Sequence, residues 1–348
     1  MGVLQVSADR PGAGKTCLIA ALLTQLDQAG SKVAYWKPFS RAAEADPDVT
    51  FISQEILSDN ASSAVPAPGA IPADPAELDS DPLAQSLRGT LAGLSTDATS
   101  VLIEGPDLDS STGIDASGSD SSLALKLATL ADAPIVQLFW YTNSLDPEAV
   151  LNIVEPYGDR LIGVIINGIT EYRKREAEEN LVKPLVSRNV PVLGTLPEDR
   201  AMLAVTVQQI ADHLNGRWIN EPVNTQAHVE RFLIGGNIMD SGPIYFGRYA
   251  NQAVITRAER PDIQLACLME DTRCLILTGA GELSEYIKVE ALQRDVPLIR
   301  VTEGTLSTAE ALGGLLDQAN AYSPWKIQRF SQLMAQHLDL APLTAALG

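Results

Sequence analysis

The apolar residues of this chain come in short runs set between amphipathic stretches. Residues 3–7, 33–36, 101–104, 135–139, 161–166 and 190–193 are rich in apolar and β-branched side chains, which reads as strands covered on both faces. Between them the spacing turns helical. Leu18, Ala21, Leu22 and Leu26 share one side of a helix over 16–28, and Gly30 stands where such a helix stops. Asp146-Pro147-Glu148 is a cap residue followed by proline at the first helical position. Strand and helix alternating in this way predict an α/β fold, a parallel sheet with helices on both faces.

One stretch breaks the pattern. Residues 59–81, DNASSAVPAPGAIPADPAELDSD, are dominated by Pro, Ala, Ser and Asp and read as a surface insertion or lid. A boundary follows near residues 215–225. From Val229 the chain restarts as a smaller α/β unit, with strands expected at 253–256, 274–277 and 298–301. Toward the end, Ile327, Phe330, Leu333, Met334 and Leu338 form one apolar helical face, which either docks on its own domain or meets a protein partner. The expected organisation is a first domain over 1–215, a linker over 216–227, a second domain over 228–322 and a helical segment over 323–348.

Charge narrows the function classes. The 348 residues carry 25 Lys+Arg against 44 Asp+Glu, a formal net charge of −19, so a nucleic acid or an anionic membrane is not the expected partner. One anion held in a local pocket is compatible with that balance. Cys17, Cys267 and Cys274 lack zinc-type spacing and read as reduced, buried thiols. His213, His228 and His337 are scattered and read as surface or packing residues. The chain opens without a signal-peptide layout and holds no apolar run near the ~20 residues that span a bilayer, so a cytoplasmic protein is expected.

The strongest chemical signal is Asp9-Arg10-Pro11-Gly12-Ala13-Gly14-Lys15-Thr16, set between an expected strand and an expected helix. Glycines let consecutive amides converge on an anion, and the helix start adds its partial positive charge. In such a phosphate loop Gly12, Ala13, Gly14 and Cys17 supply backbone, Lys15 reaches the β- and γ-phosphates, and Thr16 ligates Mg²⁺. Asp9 stands where a glycine is usual. Facing inward, its carboxylate would repel phosphate and mark a decayed loop or a plain strand-to-helix turn. Two strand ends add to the signal. Trp36-Lys37-Pro38 brings a second lysine to the carboxyl edge of the sheet, and the apolar run 101–103 ends in Glu104-Gly105, a second metal carboxylate position.

Together with Ile166-Asn167 and Pro191-Val192-Leu193-Gly194, these motifs make residues 1–215 resemble the dethiobiotin synthetase-like P-loop family, which includes the N-terminal domain of long phosphate acetyltransferases. The resemblance implies bound ATP and Mg²⁺. It implies Lys15 and Lys37 as the catalytic lysines, and Thr16, Asp48 and Glu104 around the metal. It also implies Asn167, Pro197 and Glu198 on the adenine side, although Asn167 reads equally as a strand-end turn residue. Arg10 lies where some relatives carry a lysine that crosses a dimer interface, and it reads otherwise as an exposed salt-bridging residue.

Residues 228–318 resemble the DRTGG domain, on the segments 228–236, 254–256 with 259–266, and 275–279. The eponymous motif is degenerate, with Glu259 and Pro261 in place of its Asp and Thr. Thr256, Arg260, Asp262, Thr278 and Gly279 gather at expected strand ends, as a ligand crevice or, for Arg260 and Asp262, as an ion pair at a helix start. The chain ends soon after this unit, so neither an acyltransferase nor a glutaminase domain is expected.

The expected function is an adenine-nucleotide-binding regulatory or assembly protein, a stand-alone counterpart of the phosphate acetyltransferase N-terminal region, with weak ATPase activity at most and no acyl transfer. A homodimer or higher homo-oligomer is expected. Two further readings stand beside it: an ATP-dependent ligase of the dethiobiotin synthetase type, and a scaffold with a decayed P-loop.

Overall fold

The computed structural model describes residues 2–57, 65–72, 74–106, 119–236, 242–316 and 319–348. It divides into two compact units, 1–199 with 321–348, and 200–320.

The first unit opens with β1 (Gly2–Ala8), α1 (Lys15–Gln28), β2 (Val33–Trp36), β3 (Phe39–Ser40), α2 (Pro47–Phe51), β4 (Gly69–Ala70) and α3 (Asp81–Asp97). It continues with β5 (Ser100–Glu104), α4 (Ser119–Ala131), β6 (Ile135–Trp140), α5 (Pro147–Val154), β7 (Leu161–Ile169), α6 (Lys174–Ala177), α7 (Lys183–Ser187) and β8 (Val192–Pro197). Six strands form one parallel sheet in the order β2-β5-β1-β6-β7-β8. The order turns on β1, with β5 and β2 to one side and β6 to β8 on the other. The carboxyl end of β1 is therefore the switch point of the sheet, where such folds open a crevice. Asp146 caps α5 as its sequence indicates, its side chain accepting from the Ala149 amide at 2.8 Å.

The second unit holds β9 (Val205–Thr206), α8 (Val207–His213), β10 (Arg217–Trp218), β11 (His228–Val229), β12 (Arg231–Gly235), α9 (Gly242–Phe246) and β13 (Gln252–Arg257). It closes with α10 (Pro261–Leu268), β14 (Thr272–Thr278), α11 (Glu285–Gln293), β15 (Leu298–Arg300) and α12 (Thr305–Leu316). Its five-stranded sheet runs β10-β15-β14-β13-β12, parallel except for β10. One face packs on α8 and α12, the other on α9, α10 and α11.

Several boundaries differ from the sequence reading. Residues 207–213 belong to the second unit, because Val207, Ile210 and Ala211 join its core. Part of the expected linker is the edge strand β10, paired with β15. Of the expected insertion, residues 59–64 and 73 lie outside the described residues. Its remainder is built into the first unit: β4 pairs with β3, and a 3₁₀ turn over Pro75–Asp79 is closed by an Asp74–Glu77 capping box and buries Leu78 in the core. All three cysteines are buried free thiols. Among the described residues no helix is long and apolar enough to cross a membrane.

The last two helices, α13 (Pro324–His337) and α14 (Ala341–Leu347), return to the first unit. Helix α13 lies against α1 and β8, burying Ile327, Phe330, Leu333 and Met334. The apolar face that sequence leaves open to a partner is thus spent on its own unit. Ser100 Oγ donates to the Leu347 carbonyl at 2.7 Å, tying α14 to the sheet. Phe330→Ala should destabilise the protein by about 3 kcal/mol in denaturant unfolding, the usual loss for a buried phenylalanine. A change under about 0.5 kcal/mol, ordinary for a surface site, would show that this face is not a core face.

Candidate functional site

The loop between β1 and α1 is shaped by two left-handed glycines, Gly12 (φ 76°) and Gly14 (φ 107°). Gly14 caps α1, and a Cβ there would sit 2.7 Å from Asn167 Nδ2, so position and neighbour both require glycine. Asn167, at the carboxyl end of β7, donates through Nδ2 to the Ala13 carbonyl at 2.9 Å. It therefore braces the loop, a role that sequence reading did not assign to it. Asp9 does not fold into the loop. Its Oδ1 accepts from the Trp140 amide at the end of β6 at 3.1 Å and its Oδ2 accepts from Arg10 Nε at 3.1 Å, so both oxygens are engaged. Burial raises the Asp9 pKa, against the Trp140 amide and Arg10, which lower it. Arg10 has the salt-bridging form, half-buried against Asp9. Cys17 turns its thiol inward, where burial pushes its pKa up to about 12.

Lys15 is buried and donates to the Gly105 carbonyl at 3.1 Å. Gly105 lies so close to β1 that a Cβ there would meet Ser7 Oγ at 2.6 Å, which keeps the end of β5 beside the loop. The Thr16 hydroxyl donates to Asp48 Oδ1 at 2.9 Å and approaches Glu104 Oε1 at 3.5 Å. Lys37 bonds Asp48 Oδ2, lies 2.9 Å from Asp46 Oδ2 and 3.7 Å from Glu104 Oε1. The residues that sequence scatters over 15–104 thus meet at one point.

Local structure sets each of these groups. Lys37 follows β2, and Glu104 ends β5, the neighbouring strand. Asp48 is aimed by its own helix: Asp46 caps α2 by accepting from the Asp48 and Val49 amides, with Pro47 behind it. Burial opposes the charged form of Lys37, but Glu104, Asp48 and the bonds to Asp48 and Asp46 outweigh it and push its pKa up. Burial, reinforced by the charge of Asp48, raises Glu104 to about 7.

Sequence reading missed Asp46, Tyr35 and Tyr322. Tyr35 donates to Glu104 Oε2 at 2.6 Å, and Tyr322 donates to Asp48 Oδ1 at 3.0 Å. Strand alternation places Tyr35 on the same side as Lys37, a usable signal. Asp46-Pro47 repeats the cap signature of Asp146-Pro147. Tyr322 carried no signal. Pro197 ends β8 beside Ile169, and the Glu198 amide donates to the Ile169 carbonyl at 2.9 Å, so both lie at the end of β7.

In the second unit, Thr256 and Thr278 are buried and bonded, to the Gly235 carbonyl at 2.9 Å and to Thr305 Oγ1 at 2.9 Å. Arg260 pairs with Asp262 at 2.8 Å at the start of α10, the ion-pair form. Gly279 begins a turn that the sequence reading left incomplete: Arg300 donates to its carbonyl at 2.6 Å, and Glu259 accepts from the Gly281 amide.

Residues 3–205 match a family model described as AAA domain, and residues 209–315 one described as DRTGG domain. A phosphate acetyltransferase of Pseudomonas aeruginosa is 23% identical over 375 residues, covering 97% of this chain and 51% of the relative, so the chain spans about half that relative's length. The MinD cell division protein of Aquifex aeolicus is similar in structure at 20% identity and a TM-score of 0.37, over 57% of this chain and 83% of that one. The CBS and DRTGG domains from the regulatory region of Clostridium perfringens pyrophosphatase, complexed with the activator diadenosine tetraphosphate, are similar at 12% identity and a TM-score of 0.28, over 44% of this chain and 75% of that one.

The raised Glu104 pKa has a defined effect on stability. Between about pH 4.5 and 7 the folded ligand-free protein keeps a proton on Glu104 that the unfolded chain has released, so stability falls as pH rises through that window. Glu104→Gln removes this contribution. Thermal unfolding from pH 4.5 to 8 should show a smaller decline for the variant than for the wild type, and parallel curves would refute it.

Proposed function

The chain belongs to the dethiobiotin synthetase-like family of P-loop AAA domains, continued by a DRTGG domain, and on that premise we propose that it is an adenine-nucleotide-binding regulatory or assembly protein, a counterpart of the phosphate acetyltransferase N-terminal region. The observation that carries this reading is the meeting of Lys15, Thr16, Lys37, Asp48 and Glu104 beside the loop at the switch point of the sheet.

In this reading ATP is the ligand. The amides over 12–17 and Lys15 hold its phosphates, and the adenine lies toward Pro197 and Glu198. The site fits a magnesium ion. Thr16, Asp48 and Glu104 offer hard oxygen donors, and three carboxylates, Asp46, Asp48 and Glu104, gather around Lys37 and Lys15, a donor set suited to a hard dication. Bound there, the ion neutralises phosphate charge. The outward Asp9 supports a working loop over a decayed one. The burial of Lys37, 2% exposed and bonded to Asp46 and Asp48, supports regulation over a ligase, because it leaves that lysine no open side for a small carboxylate acceptor. The protein acts in the cytoplasm as a homo-oligomer.

ATP with Mg²⁺ at 100 times its Kd should stabilise the wild type by about 2.7 kcal/mol in thermal unfolding, and Lys15→Ala should lose the effect. A flat response in the wild type overturns nucleotide binding. Multiple-turnover ADP release that requires a small carboxylic acid overturns the regulatory reading in favour of the ligase.

A further inference from the structure

Asp48 is gripped from three directions. Thr16 and Tyr322 both donate to Oδ1, at 2.9 and 3.0 Å, and Lys37 bonds Oδ2. Tyr322 stands 274 residues along the chain from Asp48 and packs within the first unit. Its ring also meets the ring of Phe51, with centroids 5.5 Å apart and planes at 47°. Phe51 is buried and is the last residue of α2, the helix that carries Asp48. Tyr322 thus touches both the carboxylate and its helix. Helix α2 runs on without a break into a π-helical turn over Ile52–Ile56, so Phe51 lies in the middle of this helical segment. Asp46 holds its start, and Tyr322 touches its middle.

We propose that Tyr322 is a positioning residue for a metal carboxylate: it orients Asp48 toward the cation that Thr16 and Glu104 share, and so sets the Mg²⁺ requirement of nucleotide binding. This rests on the reading of the site given above. A carboxylate oxygen offers two lone-pair directions. On Asp48 Oδ1 one is taken by Thr16 and the other by Tyr322. If the Thr16 oxygen held a cation, its hydroxyl would release Asp48 Oδ1 and leave that direction open to the ion. Tyr322 keeps the other direction, and Lys37 on Oδ2 stops the carboxylate from rotating. Partners that orient a ligating carboxylate from outside the coordination sphere commonly set 10–100-fold in metal affinity.

The test uses Tyr322→Phe in the full chain, which removes one oxygen and leaves the ring on Phe51. A fluorescent ATP analogue is titrated in EDTA and then across a Mg²⁺ series, with thermal unfolding alongside. The expected result is an unchanged metal-free affinity and melting temperature, with the Mg²⁺ concentration for half-maximal effect raised about tenfold. Tyr322→Ala should add a lower melting temperature through the lost ring contact. A Tyr322→Phe protein that matches the wild type across the Mg²⁺ series overturns the inference alone. So does one whose affinity falls equally with and without metal, because that is a structural effect. A wild type that does not bind the analogue, or binds it without regard to Mg²⁺, overturns the reading of the site and this inference with it.

Discussion

The site depends on a buried ammonium among carboxylates. Lys37, almost fully enclosed, contacts Asp46, Asp48 and Glu104. Burial alone would discharge such a lysine, and burial alone would protonate the acids. The carboxylates hold Lys37 charged and Lys37 helps hold Asp46 charged, and removing one partner of such a pair leaves an uncompensated charge in a dry place. The balance is incomplete. Glu104 remains near 7 because its burial, with the charge of Asp48 beside it, outweighs the two ammonium groups of Lys37 and Lys15. The cluster is thus an acidic half-site, opposed across Thr16 by a loop of amides.

That opposition works only if the two signs stay apart, and two side chains keep them so. Asp9 brings a carboxylate to the mouth of the amide loop, yet the Trp140 amide of β6 and the Arg10 guanidinium engage both its oxygens. Asn167 ties the Ala13 carbonyl back with its amide, so the loop turns its acceptor away from the anion side. The residue that most weakens the phosphate-loop signature in sequence is, in the fold, a fastener between the loop and the sheet.

What sequence discloses here follows the range of the forces involved. Strand ends, the glycine loop and helix caps are local, and the places of Lys15, Thr16, Lys37 and Glu104 could be read from runs of fewer than ten residues. Asp46 and Tyr35 were legible by the same rules, capping and alternation, but their type suggested no ligand chemistry. The apolar stripe of α13 was visible, yet periodicity says which face is apolar and not what covers it, so docking on α1 could not be read. The same limit hid the division of the chain. A domain that is left at residue 199 and regained at 321 has no signature in composition. Residues 75–79 misled through their Pro and Ala content, although the Asp74–Glu77 capping box and Leu78 give them a place in the fold.

The second unit is therefore an insertion in the first rather than a tail to it, and both of its ends are fastened. Asp199, the last residue before it, pairs with Arg329 of α13 at 2.6 Å. Tyr322, just beyond it, is bonded to Asp48. Here one fastening is a carboxylate of the acidic cluster. The residues on either side of the second unit are thereby held by the first unit's own contacts, one of them at the cluster.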